Sequence, residues 1–253
     1  MLDENHEAAQ VARSPITPLP QYWSDEAARR RYLDGLFDDT AGDYDFIERL
    51  LGFGTGPRHR RQALRRAGLA PGMHVLDIAT GTGLVAREAL TIVGAEGSVI
   101  GLDPSAGMLE RAGDLDIALI RALGERLPCR DASFDFVSMG FALRHVADLE
   151  GLLREMKRVL RPGGRACILE LTYPSNRLVA ASVHGFMTGV VPVVAGLWGR
   201  YRHARSLMRF YWDTIKVCVP PEAVMAALKA AGFRRTRRVV SLGMFSDYSG
   251  RNL

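Results

Sequence analysis

The 253-residue chain predicts an α/β protein with a doubly wound, mainly parallel sheet, and three observations carry that expectation. From residue 74 onward, short apolar runs alternate with segments of helical periodicity, the pattern of parallel strands joined by crossover helices. The first run ends in a glycine-rich turn that opens a helix, and the second ends in an acidic residue, Asp103. Ligands of such folds bind beyond the carboxyl ends of the strands, where both features fall.

The elements are read in chain order. Residues 1–23 are polar, with Pro15, Pro18 and Pro20, and read as a flexible tail ahead of one domain spanning 24–253. Helical spacing over 24–37, with Ser24 as N-cap, then over 44–51 and 56–67, predicts a helical layer across residues 24–70 that ends at the Pro71-Gly72 turn. Strands follow at 74–78, 97–102, 117–120, 134–139 and 165–171, the last after the turn at Pro162, Gly163 and Gly164. Helices fall at 84–93, 106–112 and 149–160 between them. Residues 178–198 carry no formally charged side chain over 21 positions, enough length to cross a bilayer. His184, Pro192 and three glycines interrupt that run, and it sits inside an α/β pattern. It therefore reads as a helical cap over an apolar pocket, within an insertion at 174–220, with peripheral contact to a membrane left open. A helix over 221–231 stopped by Gly232, a strand at 237–242 and a polar, aromatic ending at 244–250 complete the chain.

Composition narrows the partners. The net charge of +5 rests almost wholly on arginine, since Lys157, Lys216 and Lys229 are the only lysines. The arginine clusters at 58–61, 65–66 and 234–238 lack interleaved aromatics, so they read as solvated faces and predict no nucleic-acid partner. Cys129, Cys167 and Cys218 form no CxxC pair, which predicts neither a disulfide framework nor a metal site, and a cytoplasmic location. The first residues lack the apolar core of a secretory signal.

The chemistry-bearing motif is Asp77-Ile-Ala-Thr-Gly-Thr-Gly83. Gly81 and Gly83 let the backbone approach a ligand, and the following helix offers free amide donors. Asp103 lies 20 residues after Gly83, where a carboxylate can accept both hydroxyl protons of a ribose. A dinucleotide site would carry a third glycine to admit a pyrophosphate, but Leu84, Val85 and Ala86 follow here. Asp77 would repel phosphate yet can help orient a cationic amino-acid group. An adenosyl sulfonium suits these residues better than a dinucleotide.

Further segments make the chain resemble a known family. These are 37–45 (Phe-Asp-Asp-Thr-Ala-Gly-Asp-Tyr-Asp), 75–83, 101–108, 125–128 (Glu-Arg-Leu-Pro), 133–136, 141–145 (Phe-Ala-Leu-Arg-His) and the Val-Leu-Arg-Pro-Gly-Gly ending of 155–164. In this order they are similar to the ubiquinone/menaquinone C-methyltransferase (UbiE-like) family of class I S-adenosylmethionine (SAM)-dependent enzymes. Segment 141–145 and the long insertion after Glu170 are the family-specific parts. The resemblance implies a seven-stranded Rossmann-like methyltransferase sheet with N-terminal helices and a helical cap. It implies SAM as cofactor, held by Tyr44, Asp77, Ala79, Thr80, Gly81, Thr82, Gly83, Asp103, Pro104, Met108, Gly124, Glu125 and Met139.

The implied reaction is methylation of a ring carbon in an apolar aromatic or quinone-like small molecule. Arg144 would stabilise a phenolate or position a proton-accepting water, and His145 would serve as a base. The bland alternatives are an Arg144 ion pair with Asp148, and capping or packing for His145. Phe141, Glu170, Tyr173, His184, Tyr211 and Asp247 are the candidate substrate contacts. Two departures from the family stand out. Leu123 and Gly124 precede Glu125 where relatives carry Asp or Asn, which puts adenine recognition on backbone atoms. Segment 244–249, Met-Phe-Ser-Asp-Tyr-Ser, replaces the usual ending and alters the substrate wall. O- or N-methylation of a specialised metabolite, and a non-methylating SAM-binding catalyst, stay open beside ring C-methylation, as does a homodimer.

Overall fold

A computed structural model describes residues 14–253. The helices are α1 (Glu26–Leu51), α2 (Gly56–Ala67), α3 (Leu84–Val93), α4 (Ala106–Ala112), α5 (Leu149–Val159), α6 (Arg177–Gly185), α7 (Val191–Gly196), α8 (Tyr201–Val217) and α9 (Pro221–Ala230). The strands are β1 (His74–Ile78), β2 (Ser98–Asp103), β3 (Ala118–Arg121), β4 (Phe134–Gly140), β5 (Leu160–Leu171), β6 (Arg234–Ser241) and β7 (Phe245–Arg251). They form one seven-stranded sheet in the order β3-β2-β1-β4-β5-β7-β6. Strands β1 to β5 run parallel, and β7 enters antiparallel between β5 and β6. The chain winds outward from β1 to β3 and then returns to β4, so the strand order reverses between β1 and β4. That reversal opens a crevice at the carboxyl ends of these strands.

Two apolar layers sandwich the sheet. In α5, Leu149, Leu152, Leu153, Met156 and Val159 recur at helical spacing and are buried with Leu76, Ile78 and Met139 from the strands. On the other face Ala63 and Leu64 of α2 join Val85, Ala86 and Ala89 of α3. A third cluster gathers Leu36 and Ile47 of α1 with Met187, Val191, Leu207, Met208 and Phe210 beyond β5. It stacks the insertion over the crevice.

Four expectations change. The two helices predicted at 24–37 and 44–51 are one 26-residue helix, α1, capped by Asp25, with Ser24 donating to the Asp25 carboxylate. Its polar middle stays helical because tertiary partners take it up: Thr40 and Ala41 are buried, and Asp38 and Asp45 accept hydrogen bonds from other loops. Of the tail predicted at 1–23, residues 1–13 lie outside the described residues, whereas the rest is docked. Ile16 bridges Cys218, the Val219 amide donates to the Pro15 carbonyl at 2.7 Å, and Ile16, Leu19 and Trp23 are buried.

Strand β5 starts at Leu160 rather than 165, with the Asn252 side chain donating to the Leu160 carbonyl at 2.8 Å. The ending at 244–250 supplies β7, an inner strand. Its polar residues hid that from a reading by hydrophobic alternation. Ser246 accepts from Arg238, and Asp247 pairs with Arg66, so both are buried with partners.

Candidate active site

The crevice is a cleft of about 970 Å³, its open mouth included, between the strand ends and the roof made by α1. At its cofactor end the glycine turn leaves β1. Gly81 has φ +57°, with nothing within 4 Å of where a Cβ would stand, so this backbone is open to a ligand. Gly83 has φ +84°, and a Cβ there would stand 2.4 Å from the Leu115 side chain. Asp103 ends β2 and accepts from the Gly81 amide at 2.8 Å and the Ser105 amide at 2.9 Å. Burial raises its carboxyl to about 6, against the lowering effect of those two amides.

Asp77 lies one layer deeper. It is fully buried, accepts from Thr80 at 2.7 Å and Ser138 at 2.6 Å, and is likewise raised to about 6, chiefly by burial. It braces the turn from behind. Ala79, Gly81, Asp103, Pro104, Met108, Gly124, Glu125, Met139 and Tyr44 line the cleft. Thr80, Thr82, Gly83 and Asp77 do not, and shape the turn instead.

Helix α1 closes the cleft through three polar ties. Arg29 donates to the His145 and Val146 carbonyls at 2.7 and 2.8 Å. Asp38 accepts from Ser105 and from the Gly107 amide at the start of α4. Asp45 accepts from Thr82. Glu26, Arg29, Leu33 and Phe37, at successive helical turns, face the cleft, and the sequence reading missed them. All four lie within the helix read over 24–37, but helical spacing does not say that this face meets the strand ends, which only the packing of α1 over the crevice decides.

The opposite end is built around segment 141–145. Phe141 has φ +59°, a conformation that costs a non-glycine residue about 1–2 kcal/mol. Its amide donates to Leu169 at 2.7 Å, and its carbonyl accepts from the Arg144 guanidinium at 2.8 Å, which hold it there. Arg144 is 0% exposed. It pairs with Glu170 rather than with Asp148, which instead caps α5 through the Gly151 amide. Glu170 also accepts the Arg144 amide at 3.2 Å. Burial opposes the charge of Arg144, but the Glu170 carboxylate outweighs it, so its proton is held more tightly than usual. Neither Arg144 nor Glu170 lines the cleft. The pair stands directly behind the loop that does.

His145, Phe141 and Tyr211 do line it. The His145 ring stacks on Phe210 at 5.4 Å and meets Phe37 edge-on at 5.3 Å. Both of its ring nitrogens are buried without a hydrogen-bond partner. Burial, then the charges of Arg144 and Arg29, push its pKa well below the ordinary histidine value, so the ring is neutral. The Tyr211 hydroxyl donates to Tyr44 at 2.9 Å, and burial raises both phenols. The remaining candidates lie elsewhere. Tyr173 and His184 pack on Trp212, at 5.5 and 4.8 Å, outside the cleft lining. Asp247 is on the far side of the sheet, paired with Arg66 and 3.3 Å from His59. Register explains it: alternate β7 residues point to opposite faces.

A mainly parallel sheet with a glycine turn that lacks a third glycine, a strand-end acid and an apolar cleft is the arrangement of a class I SAM-dependent methyltransferase. The ubiE/COQ5 methyltransferase family model matches residues 25–243, and the chain belongs to that family. A ubiquinone/menaquinone biosynthesis C-methyltransferase of Geobacter sulfurreducens is 35% identical over 224 residues, covering 85% of this chain and 86% of that protein. One from Hahella chejuensis is 35% identical over 191 residues, covering 70% and 76%. Among solved structures, a SAM-dependent methyltransferase of Thermotoga maritima superposes with TM-score 0.61 at 22% identity, covering 87% and 99% of the two chains. The cofactor is SAM. The open turn at Gly81 and the Asp103 carboxylate at the cleft edge fit its amino-acid and ribose parts.

Proposed function

We propose that the enzyme methylates a ring carbon of a phenolic, quinone-like small molecule, and that His145 handles the proton. One observation carries this reading: the neutral His145 ring lines the apolar cleft with both nitrogens buried and unpartnered. Such nitrogens cost free energy unless a ligand satisfies them. The relatives' names, ubiquinone/menaquinone biosynthesis C-methyltransferase, point to the same acceptor class.

Bound SAM supplies an electrophilic methyl group. The protein's residues do the rest. Phe37, Phe141 and Tyr211 flank a flat apolar ring and exclude water. His145 accepts a hydrogen bond from the phenolic hydroxyl, which raises electron density at the ring carbon. Proton transfer to His145 leaves a phenolate beside an imidazolium, an attraction that offsets the nearby charges of Arg144 and Arg29. After the methyl is transferred, the His145 imidazolium returns its proton to the ring oxygen and, neutral again, takes the proton that leaves the methylated carbon; aromaticity returns, and that one proton passes to solvent as product leaves. Arg144 and Glu170 act from behind, positioning Phe141 and His145. We assign Tyr44, Asp103 and the lining residues from Ala79 to Met139 to SAM binding.

The test is label transfer from methyl-labelled SAM to a panel of hydroquinones, phenols and amines, with the methylated atom located by NMR. We expect ring-carbon labelling of a hydroquinone or phenol. His145→Ala should lower kcat by about 100-fold, in the range of a proton-transfer group, with SAM affinity retained. Label on oxygen or nitrogen, or none despite tight SAM binding, would overturn ring methylation.

A further inference from the structure

The segment after β5 carries an apolar face that none of the described residues covers. Helix α6, the π-helical turn Phe186–Val190 and α7 form one rod, Arg177–Gly196, of mean hydropathy 1.8. Met187, Val191 and Ala195 are buried within the third apolar cluster. The outer residues of the rod and of the turn that follows it face water: Leu178 is 79% exposed, Val193 62%, Leu197 78% and Trp198 57%. Exposed apolar side chains gathered on one element mark a contact surface. The rod is long enough to cross a bilayer, but one of its sides is committed to the protein, so it can lie along a membrane and not through it.

Charge identifies the occupant. Residues 174–220 hold Arg177, Arg200, Arg202, Arg205, Arg209 and Lys216 against one acid of their own, Asp213, while Arg200 is paired with Asp43 of α1 at 2.6 Å. Asp213 is itself engaged, accepting from the Tyr22 hydroxyl at 2.7 Å. The segment's balance of +5 equals that of the whole chain, so the other residues together are neutral. Arg202, Arg205 and Arg209 follow one face of α8, all exposed, and line a groove with Tyr22, Tyr32 and Tyr201. Tyr201 joins the two halves of the surface. Its Cβ lies 3.3 Å from where a Cβ on Gly196 would stand, and the Arg205 guanidinium is 6.0 Å from its ring.

We propose that this face docks the enzyme on an anionic phospholipid bilayer. The side chains of Leu178, Val193, Leu197 and Trp198 enter the headgroup–acyl boundary, and the α8 arginines meet lipid phosphates. A second copy of the chain is a poorer occupant, because pairing the face with itself would bring two strongly positive surfaces together. An apolar acceptor of the class proposed above resides in such a bilayer, yet lipid docking can be measured without any acceptor.

The full-length protein is sedimented with vesicles of phosphatidylcholine containing 30% phosphatidylglycerol, and with phosphatidylcholine alone. Binding should be at least about tenfold tighter to the anionic vesicles and should weaken in high salt. Val193→Asp/Leu197→Asp and, separately, Arg202→Glu/Arg205→Glu should each lose about tenfold or more, with SAM affinity and melting temperature unchanged. Brominated lipids should quench wild-type fluorescence but not that of Trp198→Phe. Equal binding to neutral vesicles, or none to either, overturns the proposal. So does a lipid-free dimer that Val193→Asp/Leu197→Asp splits, which would make the face a contact between copies.

Discussion

The two ends of the cleft are built in different ways. At the cofactor end, residues 77–83 form one turn whose ligand-facing groups are backbone, with Asp103 added from the neighbouring strand. At the acceptor end, the loop at 141–145 depends on Glu170 from β5, Thr214 and Tyr211 from α8, and Arg29 and Tyr44 from α1. The first needs short-range geometry that few sequences supply. The second needs a buried ion pair and a strained Phe141, and each stands only while distant elements hold it. A cofactor can thus sit on a local motif, while the proposed acceptor meets a wall assembled from β5, α1 and the insertion.

The largest expected effect comes from breaking the acceptor end. Glu170→Gln leaves Arg144 charged, buried and without its counter-ion, which should cost about 3–5 kcal/mol in denaturant unfolding. Below its melting point, the variant should still bind SAM within about threefold of wild type. A parallel collapse of SAM affinity, measured by calorimetry, would mean that the two ends are one unit.

Breaking the cofactor end should have a smaller effect, felt in binding and not in folding. Asp103→Asn should weaken SAM binding by about 10- to 100-fold, the scale of a hydrogen bond to a charged group. The pH profile sharpens this. Burial raises Asp103 to about 6, and a carboxylate must be ionised to accept two hydroxyl protons. Affinity should therefore be full above that value and fall as pH drops through it, by up to about tenfold per unit. In Asp103→Asn only Asp77 behind the turn still titrates near 6, so the pH-dependent loss should shrink, and a loss equal to wild type would discard the assignment.

The smallest effect tests the link between the ends. Tyr44→Phe removes the acceptor of the Tyr211 hydroxyl and should cost about 1 kcal/mol of stability. Turnover should fall and SAM affinity should change little, because the ring assigned to the cofactor stays and only the hydroxyl that bonds Tyr211 is lost. A larger loss in SAM binding than in turnover would move Tyr44 wholly to the cofactor end.

The sequence by itself determined the parallel sheet, because alternating strand and helix periods are local properties, and with it the glycine turn and the acid at Asp103. The turn was legible because its function is carried by backbone over seven residues. Tertiary structure alone decided the continuity of α1, whose polar middle is kept helical by Asp38 and Asp45, which find partners in other loops, and by the burial of Thr40, whose hydroxyl donates back to the Leu36 carbonyl. It decided that 244–250 becomes an inner strand, since Ser246 and Asp247 are buried only against Arg238 and Arg66. It paired Arg144 with Glu170, 26 residues away, over the nearer Asp148, and it turned Asp247 and His184 away from the cleft. The physical reason is common to all of these. Periodicity reports which face of an element avoids water, whereas the partner of a buried charge depends on which elements the fold brings together.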